Sequence, residues 1–397
     1  MWLVLAGVDP LAHRLHLLLR GGGPPGPTLL GDGPRVPAVA THSFGSDNHS
    51  GVHPAVLAAL AAANEGHAPA YGADAVTARA IGLVRDHLGG GAEVAFVFNG
   101  TGANLVGLAL ALRPWQHVVC TATAHIAVDE CGGPERLLGT KLVELRTPDG
   151  KLTPDLVRAS ISGVGDEHRT QPGAVSITQS TELGTVYTPA ELRALAGTAH
   201  ELGMVLHLDG ARLANGAASL GVPLAAVTTD CGVDVLSFGG TKNGLLGAEA
   251  VVVLRPELAP GLAYARKQLG QLGSKGRFLA AQFAALLEGD LWLLNAGNAN
   301  AMARRLEAGV RALPGADVAW PVQANAVFVR LPAEMARAAE TFGAYPPDEV
   351  TGLVRLMCSW DTAEADVDAL LAALAAAREP ASLRAAGGPT GSALQEV

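Results

Sequence analysis

Charge and aromatic surface are scarce in this chain. Of 397 residues, 16% are charged and 4% aromatic, and the formal net charge is −9. That balance excludes the general basic surface of a nucleic-acid binder. Cysteine is as sparse: Cys120, Cys131, Cys231 and Cys358 stand far apart and form no CxxC pair. A disulfide scaffold is therefore not expected, no metal site is read from the sequence, and a reducing, cytoplasmic setting is. No apolar run is long enough to cross a membrane. The opening stretch "MWLVLAGVDPLAHRLHLLLR" lacks a basic start and is broken by Asp9, His13 and Arg14, which argues against a signal peptide. Lysine is the rarest charge carrier, with five in the chain: Lys141, Lys151, Lys242, Lys267 and Lys275.

Glycine, by contrast, is abundant at 49 residues without any collagen period, and implies many tight turns and close backbone approaches. Residues 1–43 read as a flexible Gly/Pro-rich extension and residues 379–397 as a loose tail. Between them, short continuous apolar runs alternate with helical patterns. "AEVAFVFNG", "HVVCTAT", "KLVELRT", "GAVSITQS", "MVLHLDG", "DVLSFGGTK" and "AEAVVVL" read as strands. Strands of this kind, separated by helices, predict an α/β fold with a mostly parallel central sheet covered on both faces. That large domain is assigned to residues 44–289, with an N-terminal arm, and a smaller C-terminal α+β domain to 290–378. Thr188 before Pro189 predicts a capped helix start. The stretch from Gly276 to about Leu313 predicts helix interrupted near Gly289 and Gly297.

Ligands of such sheets bind beyond the carboxyl ends of the strands. Asn99-Gly100-Thr101-Gly102, His125, Asp209 and Lys242 all fall there. Lys242, in "GGTKNG", is either a surface lysine or an amine that bonds a carbonyl covalently. Asp209 either caps a local helix or holds the protonated nitrogen of a pyridine ring, which would keep pyridoxal phosphate a strong electron acceptor. The Gly-rich turn "FNGTGAN" opens a helix, where backbone N–H groups can hold a phosphate and Thr101 can add a hydroxyl.

With these residues on the page, the chain resembles the low-specificity threonine aldolases, within the β-eliminating lyases and the fold-type I pyridoxal-phosphate enzymes. The resemblance runs from about Phe44 to about Ala377 and rests on "FGSDNHSGVHP", "YGADAVT", "FNGTGAN", "TATAHIAVDECGGP", "HLDGARLANGAASLG", "FGGTKNG" and "RKQLGQLGSKGRF". It implies that Lys242 attaches the cofactor, Asp209 meets the pyridine nitrogen, His125 stacks on the ring, and Gly100 with Thr101 surround the phosphate. Ser46, Arg212 and Arg355 are implied to hold the substrate carboxylate, with Arg212 also beside the cofactor. Arg355 alone could equally be a strand arginine paired with an acid. The implied reaction is aldol cleavage of a small-molecule β-hydroxy-α-amino acid, such as L-threonine or L-allo-threonine, to glycine and an aldehyde. β-Elimination and glycyl transfer are the alternatives. His125 is the favoured base or else only packs on the ring, with His42, His49 and His67 as rivals. A homodimer or homotetramer is implied, in which Arg266, Lys267 and Arg277 approach a neighbour's phosphate or else form a solvated turn. The chain departs from the common family pattern at Thr241-Lys242-Asn243, in "TELGTVY" and at His67, which leaves the preferred aldehyde open.

Overall fold

The computed structural model describes residues 42–377. The expected tail at 379–397 and all but the last two residues of the expected extension at 1–43 lie outside the described residues. The central sheet holds β1 (Glu93–Val97), β2 (Gln116–Thr121), β3 (Lys141–Leu145), β4 (Gln171–Thr178), β5 (Val205–Gly210), β6 (Val235–Gly239) and β7 (Glu249–Val253). Their order is β1-β7-β6-β5-β4-β2-β3. The pairs β2–β3, β2–β4, β4–β5 and β5–β6 are parallel, while β7 runs antiparallel to both β1 and β6. The sheet is thus mostly parallel, as the alternating pattern predicts.

Both faces of this sheet are buried, which is why its strands read as unbroken apolar runs rather than as alternating ones. Val94 and Phe96 of β1 point into one cluster, with Leu206, Leu236, Ala250 and Phe283. Ala95 and Val97 point into the other, with Val106, Val118, Val235 and Val251. The helix Gly100–Ala111 lies on that second face, and its start is fixed by Asn99, whose side chain accepts the Gly102 N–H. On the first face, Thr188 and Glu191 form the capping box of the helix Pro189–Glu201, with Pro189 at its first position.

A second sheet of β8 (Asp317–Val318), β9 (Ala326–Arg330) and β10 (Val354–Met357) is antiparallel in the order β10-β9-β8. It shares a separate cluster with the helices Leu291–Arg311, Ala333–Glu340 and Glu364–Ala376. Phe44 is buried in this cluster, and its backbone bonds Phe342 O at 2.9 Å and Met357 N at 2.7 Å. The segment after it, which carries Ser46 and Asp47, is thereby anchored from the C-terminal sheet. One sequence expectation is corrected. The chain kinks at Gly289, with φ of 67°, but the helix Leu291–Arg311 continues through Gly297. A glycine inside a helix costs only about 1 kcal/mol against alanine, and burial of Trp292, Ala296, Ala299 and Ala303 on this helix offsets it.

The carboxyl ends of β1, β4, β5 and β6 lead into Phe98–Thr101, Gln179–Glu182, Gly210–Arg212 and Gly240–Lys242. These turns fit only because Gly239 lets two of them approach. A Cβ on Gly239 would meet the backbone Cα and O of Ala211 at 2.6 Å. Gly239→Ala should therefore destabilise the protein by roughly 1–3 kcal/mol, an overpacking cost, and lower its urea midpoint. Gly247→Ala, where an added Cβ meets nothing within 4 Å, should leave that midpoint unchanged.

Candidate active site

Asp209 lies one residue before the end of β5, on the face covered by the helix Gly100–Ala111. Its Oδ1 accepts the Ala211 N–H at 3.0 Å, and its Oδ2 accepts from Asn104 Nδ2 at 2.9 Å. The helix cap foreseen as one use for Asp209 does not form, because the following helix begins only at Leu213, after Arg212. The bond to Ala211 closes a turn before it and engages one oxygen. Asn104 is buried, and the same nitrogen donates to Glu130 Oε1 at 2.9 Å. Glu130 in turn meets His125 Nδ1 at 2.9 Å. The His125 backbone N–H donates to Glu182 Oε1 at 2.9 Å, which also accepts from Thr178 Oγ1 at 2.7 Å. Asp209, Asn104, Glu130, His125 and Glu182 therefore form one continuous polar network.

That network is rich in negative charge. Glu130 Oε2 and Glu182 Oε2 are buried without a partner among the described residues. Burial, reinforced by the charge of Asp209, pushes the Glu182 carboxyl up from its ordinary range. The hydrogen bond from Glu130 raises His125, against the opposing effect of its own burial. Asp209 itself makes no salt bridge with any described residue. A buried carboxylate held only by neutral donors suits a cationic group at its open side.

Across the cavity stands Lys242, in the turn Thr241–Asn243 after β6. The guanidinium charge of Arg212, aided by burial, lowers its pKa. A lysine so placed is neutral, and hence nucleophilic, in a larger fraction of molecules. At a third corner is the start of the helix Gly100–Ala111. Asn99 Oδ1 takes the Gly102 N–H at 2.7 Å and Asn99 O takes that of Ala103 at 3.0 Å. The N–H groups of Gly100 and Thr101 find no acceptor among the described residues, and a Cβ on Gly100 would meet nothing within 4 Å. Gly100, Thr101, His125, Asp209, Thr241 and Lys242 line a common cavity of ≈ 250 Å³. Free N–H donors, a carboxylate without an ionic partner among the described residues and an amine of lowered pKa fit the phosphate, ring nitrogen and aldehyde of pyridoxal phosphate. A larger, shallower cleft of ≈ 390 Å³ contains Asp234, which already bonds His200 Nε2 at 2.9 Å and the Leu206 N–H at 2.7 Å. It offers no such set of free groups.

Behind Lys242, Arg212 is more engaged than its expected role implies. Its Nε and Nη2 grip Asp47 at 2.7 and 3.0 Å, and Asn325 Nδ2 adds a bond to the same carboxylate at 3.1 Å. Burial opposes ionisation of Asp47, but Arg212 holds its carboxyl below the usual range. Arg355, on β10, donates to Gly45 O at 3.1 Å and lies over the Tyr345 ring. Burial, with the charge of Arg212, lowers its pKa. Two guanidinium groups thus feel one another. Asp47 is the one carboxylate in direct contact among the described residues, while Glu182 and Asp209 act on Arg212, and Asp129 on Arg355, from further away. That imbalance suits one more carboxylate. Ser46 is buried at the start of the same segment, where its Oγ accepts the Asn48 N–H at 3.2 Å.

Ser46, Arg212 and Arg355 stand behind the cavity lining rather than in it, and the remaining expected residues are not in the lining either. His49 bonds Ser43 Oγ at 2.8 Å and Tyr345 Oη at 3.2 Å, His42 faces Asp366 at 3.6 Å, and His67 is exposed. Arg277 reaches Gly66 O, Lys267 sits over the Tyr71 ring, and Arg266 leaves its Nε buried without a partner. Six residues that sequence reasoning passed over belong to the site: Asp47, Asn104, Glu130, Glu182, Glu249 and Gln271. Gln271 accepts the Phe98 N–H at 3.0 Å and packs where a Cβ on Gly102 would stand.

Glu130→Gln keeps the size of the side chain but removes the charge that stabilises protonated His125. The His125 titration, followed by the ring-proton shifts in NMR, should move to lower pH. An unchanged titration would show that Glu130 does not set it.

Residues 43–333 match the family described as Beta-eliminating lyase. The low specificity L-threonine aldolase of Pseudomonas aeruginosa is 46% identical over 325 residues, covering 81% of this chain and 94% of that protein. That of another Pseudomonas strain is 44% identical over 334 residues, covering 84% of this chain and 96% of the relative. Among solved structures, Leishmania major threonine aldolase superposes with a TM-score of 0.78 at 34% identity, over 84% of this chain and 98% of its own. The family match takes in the whole central sheet and every turn that lines the cavity, and the chain belongs to the beta-eliminating lyase family.

Proposed function

We propose that the protein cleaves β-hydroxy-α-amino acids, L-threonine and L-allo-threonine among them, to glycine and an aldehyde. The family works with pyridoxal phosphate. When bound, that cofactor supplies an electron-accepting ring for the electron pair of the broken Cα–Cβ bond. The observation that carries the reading is the placing of Asp209 and Lys242 in one cavity whose third corner is the open helix start at Gly100 and Thr101.

Each side chain then has a task. Lys242 would hold the cofactor through its aldehyde, Asp209 would face the ring nitrogen and favour its protonated form, and the N–H groups of Gly100 and Thr101 would hold the phosphate. Arg212, steadied by Asp47, joins Arg355 and Ser46 around the substrate carboxylate, which fixes the amino acid about its Cα. His125 packs on the ring, and with Nδ1 tied to Glu130 its Nε2 is the atom left to take the proton of the β-hydroxyl. Because His125 is raised, the neutral form able to act as base grows as pH rises through that raised value, and cleavage should grow with it.

The remaining parts of the reading concern setting and assembly. A homodimer or homotetramer is supported by the exposed Tyr264 and the unpartnered Arg266 Nε on the helix Leu262–Gln268. The cysteines are unpaired, which supports a cytoplasmic setting. Among the described residues no helix is long and apolar enough to cross a membrane. The separate clusters of the two sheets support domains at 44–289 and 290–378.

Feeding L-threonine, L-allo-threonine and L-phenylserine to the purified protein should yield glycine and the matching aldehyde. Keto acid with ammonia would instead indicate elimination, and a product that needs a second aldehyde would indicate glycyl transfer. Lys242→Ala should lose both the cleavage and the borohydride-reducible cofactor link. A link that persisted on another lysine would overturn the assignment.

A further inference from the structure

Glu249 has no task in the reading above, yet it lines the same cavity as Asn99, Gly100, Thr101 and Lys242. It opens β7, opposite Gly239 of β6 and Val97 of β1. Gly239 leads into the lysine turn and Val97 into the helix start, so Glu249 stands between the two. Its Oε2 accepts the Gly240 N–H at 2.6 Å, and Thr241 adds side-chain and backbone hydrogen bonds. The carboxylate therefore caps the turn Thr241–Asn243 that carries Lys242.

This placing has a cost. The end of the cavity suited to a phosphate already holds a buried carboxylate, and two anions in a water-poor space repel strongly. Among the described residues lining the cavity, Lys242 relieves the conflict, His125 does so when protonated, and Asp209 adds to it. In the oligomer proposed above, Arg266, Lys267 and Arg277 of a neighbouring subunit would relieve it further. The flanking positions Val97 of β1, Gly239 of β6 and Gly247 before β7 carry no charge, and the first turn of the helix Gly100–Ala111 carries none either.

We propose that Glu249 is a positioning residue that caps the lysine turn as a carboxylate and takes up one proton when a phosphate monoester seats at the helix start. The inference rests on the pyridoxal-phosphate reading and adds a pH dependence to it. Burial pushes the Glu249 carboxyl up to about 7, and a neighbouring phosphate raises it further. Between those two values binding consumes a proton from solvent, so affinity falls as pH rises through that window, by at most about tenfold per pH unit. The monoester's own second ionisation, near 6, is largely complete below the window.

The test measures dissociation constants of protein stripped of cofactor for pyridoxal 5′-phosphate and for pyridoxal, which lacks the phosphate, across about pH 6.5–9. Both probes share the titration of Lys242, so the ratio of their affinities isolates the phosphate. In the parent protein the advantage of the phosphorylated probe should shrink about tenfold from neutral to alkaline pH. In Glu249→Gln that advantage should stay level with pH. A level ratio in the parent, or a parent-like slope in the Gln variant, would overturn the proposal. The parent comparison decides alone if the variant does not fold. Failure of the parent to bind pyridoxal phosphate at all would overturn the cofactor reading as well, whereas normal binding with level ratios would overturn only the role of Glu249.

Discussion

Burial of carboxylates at the carboxyl end of a parallel sheet is the constraint on which the site depends. Asp47, Glu130, Asp209 and Glu249 are all buried there, and an ion taken out of water costs several kcal/mol unless it is paired or hydrogen-bonded. Asp47 is paired, through the two-pronged grip of Arg212. Asp209 and Glu249 are held by neutral donors instead: Asn104 and Ala211 for one, Gly240 and Thr241 for the other. Such holding fixes a carboxylate in place while leaving its charge uncompensated by another side chain. A fold that spends stability in this way obtains a directed negative charge opposite a basic amine.

The same arrangement pushes the two proton-carrying groups in opposite directions. Arg212 stands close enough to Lys242 to depress it, and Glu130 is bonded to His125 and raises it. The lysine is biased towards its neutral form and the histidine towards its charged one. Their roles are thereby separated by surroundings rather than by residue type. Arg212 serves two ends at once, since it neutralises Asp47 and lowers Lys242. Its backbone follows Asp209 by three positions, so one turn after β5 places the carboxylate, the guanidinium and the close approach to Gly239.

Much of this was legible in the sequence because it is local. Apolar runs mark the strands, and Lys242, Asp209 and the turn at Gly100 follow their ends directly. What escaped was brought together by tertiary packing. Glu130 sits in "AVDECGG" and Asp47 in "FGSDNHS", stretches that carry the resemblance but in which neither acid is given a role. Their partners lie 5 residues away on a turn of unforeseen geometry, for His125, and 165 residues away, for Arg212. Asn104 looked like one polar residue in a helix, and its link between Glu130 and Asp209 depends on that helix lying against β5. Gly297 misled for the opposite reason, since a local helix breaker was overruled by burial on both sides of it.

The central claim is that the unpaired charge of Asp209, rather than its shape, sustains the chemistry. The most direct measurement is the turnover number of Asp209→Asn for release of glycine from L-threonine, with borohydride reduction of a separate sample verifying that Lys242 still links the cofactor. Asparagine keeps the size and one acceptor oxygen, enough for the bond from either Asn104 or Ala211, while lacking the charge. Turnover should fall by about a hundredfold or more, as expected when a preorganised charge is removed from a reacting centre. Turnover close to that of the parent, with the cofactor linked, would contradict the account.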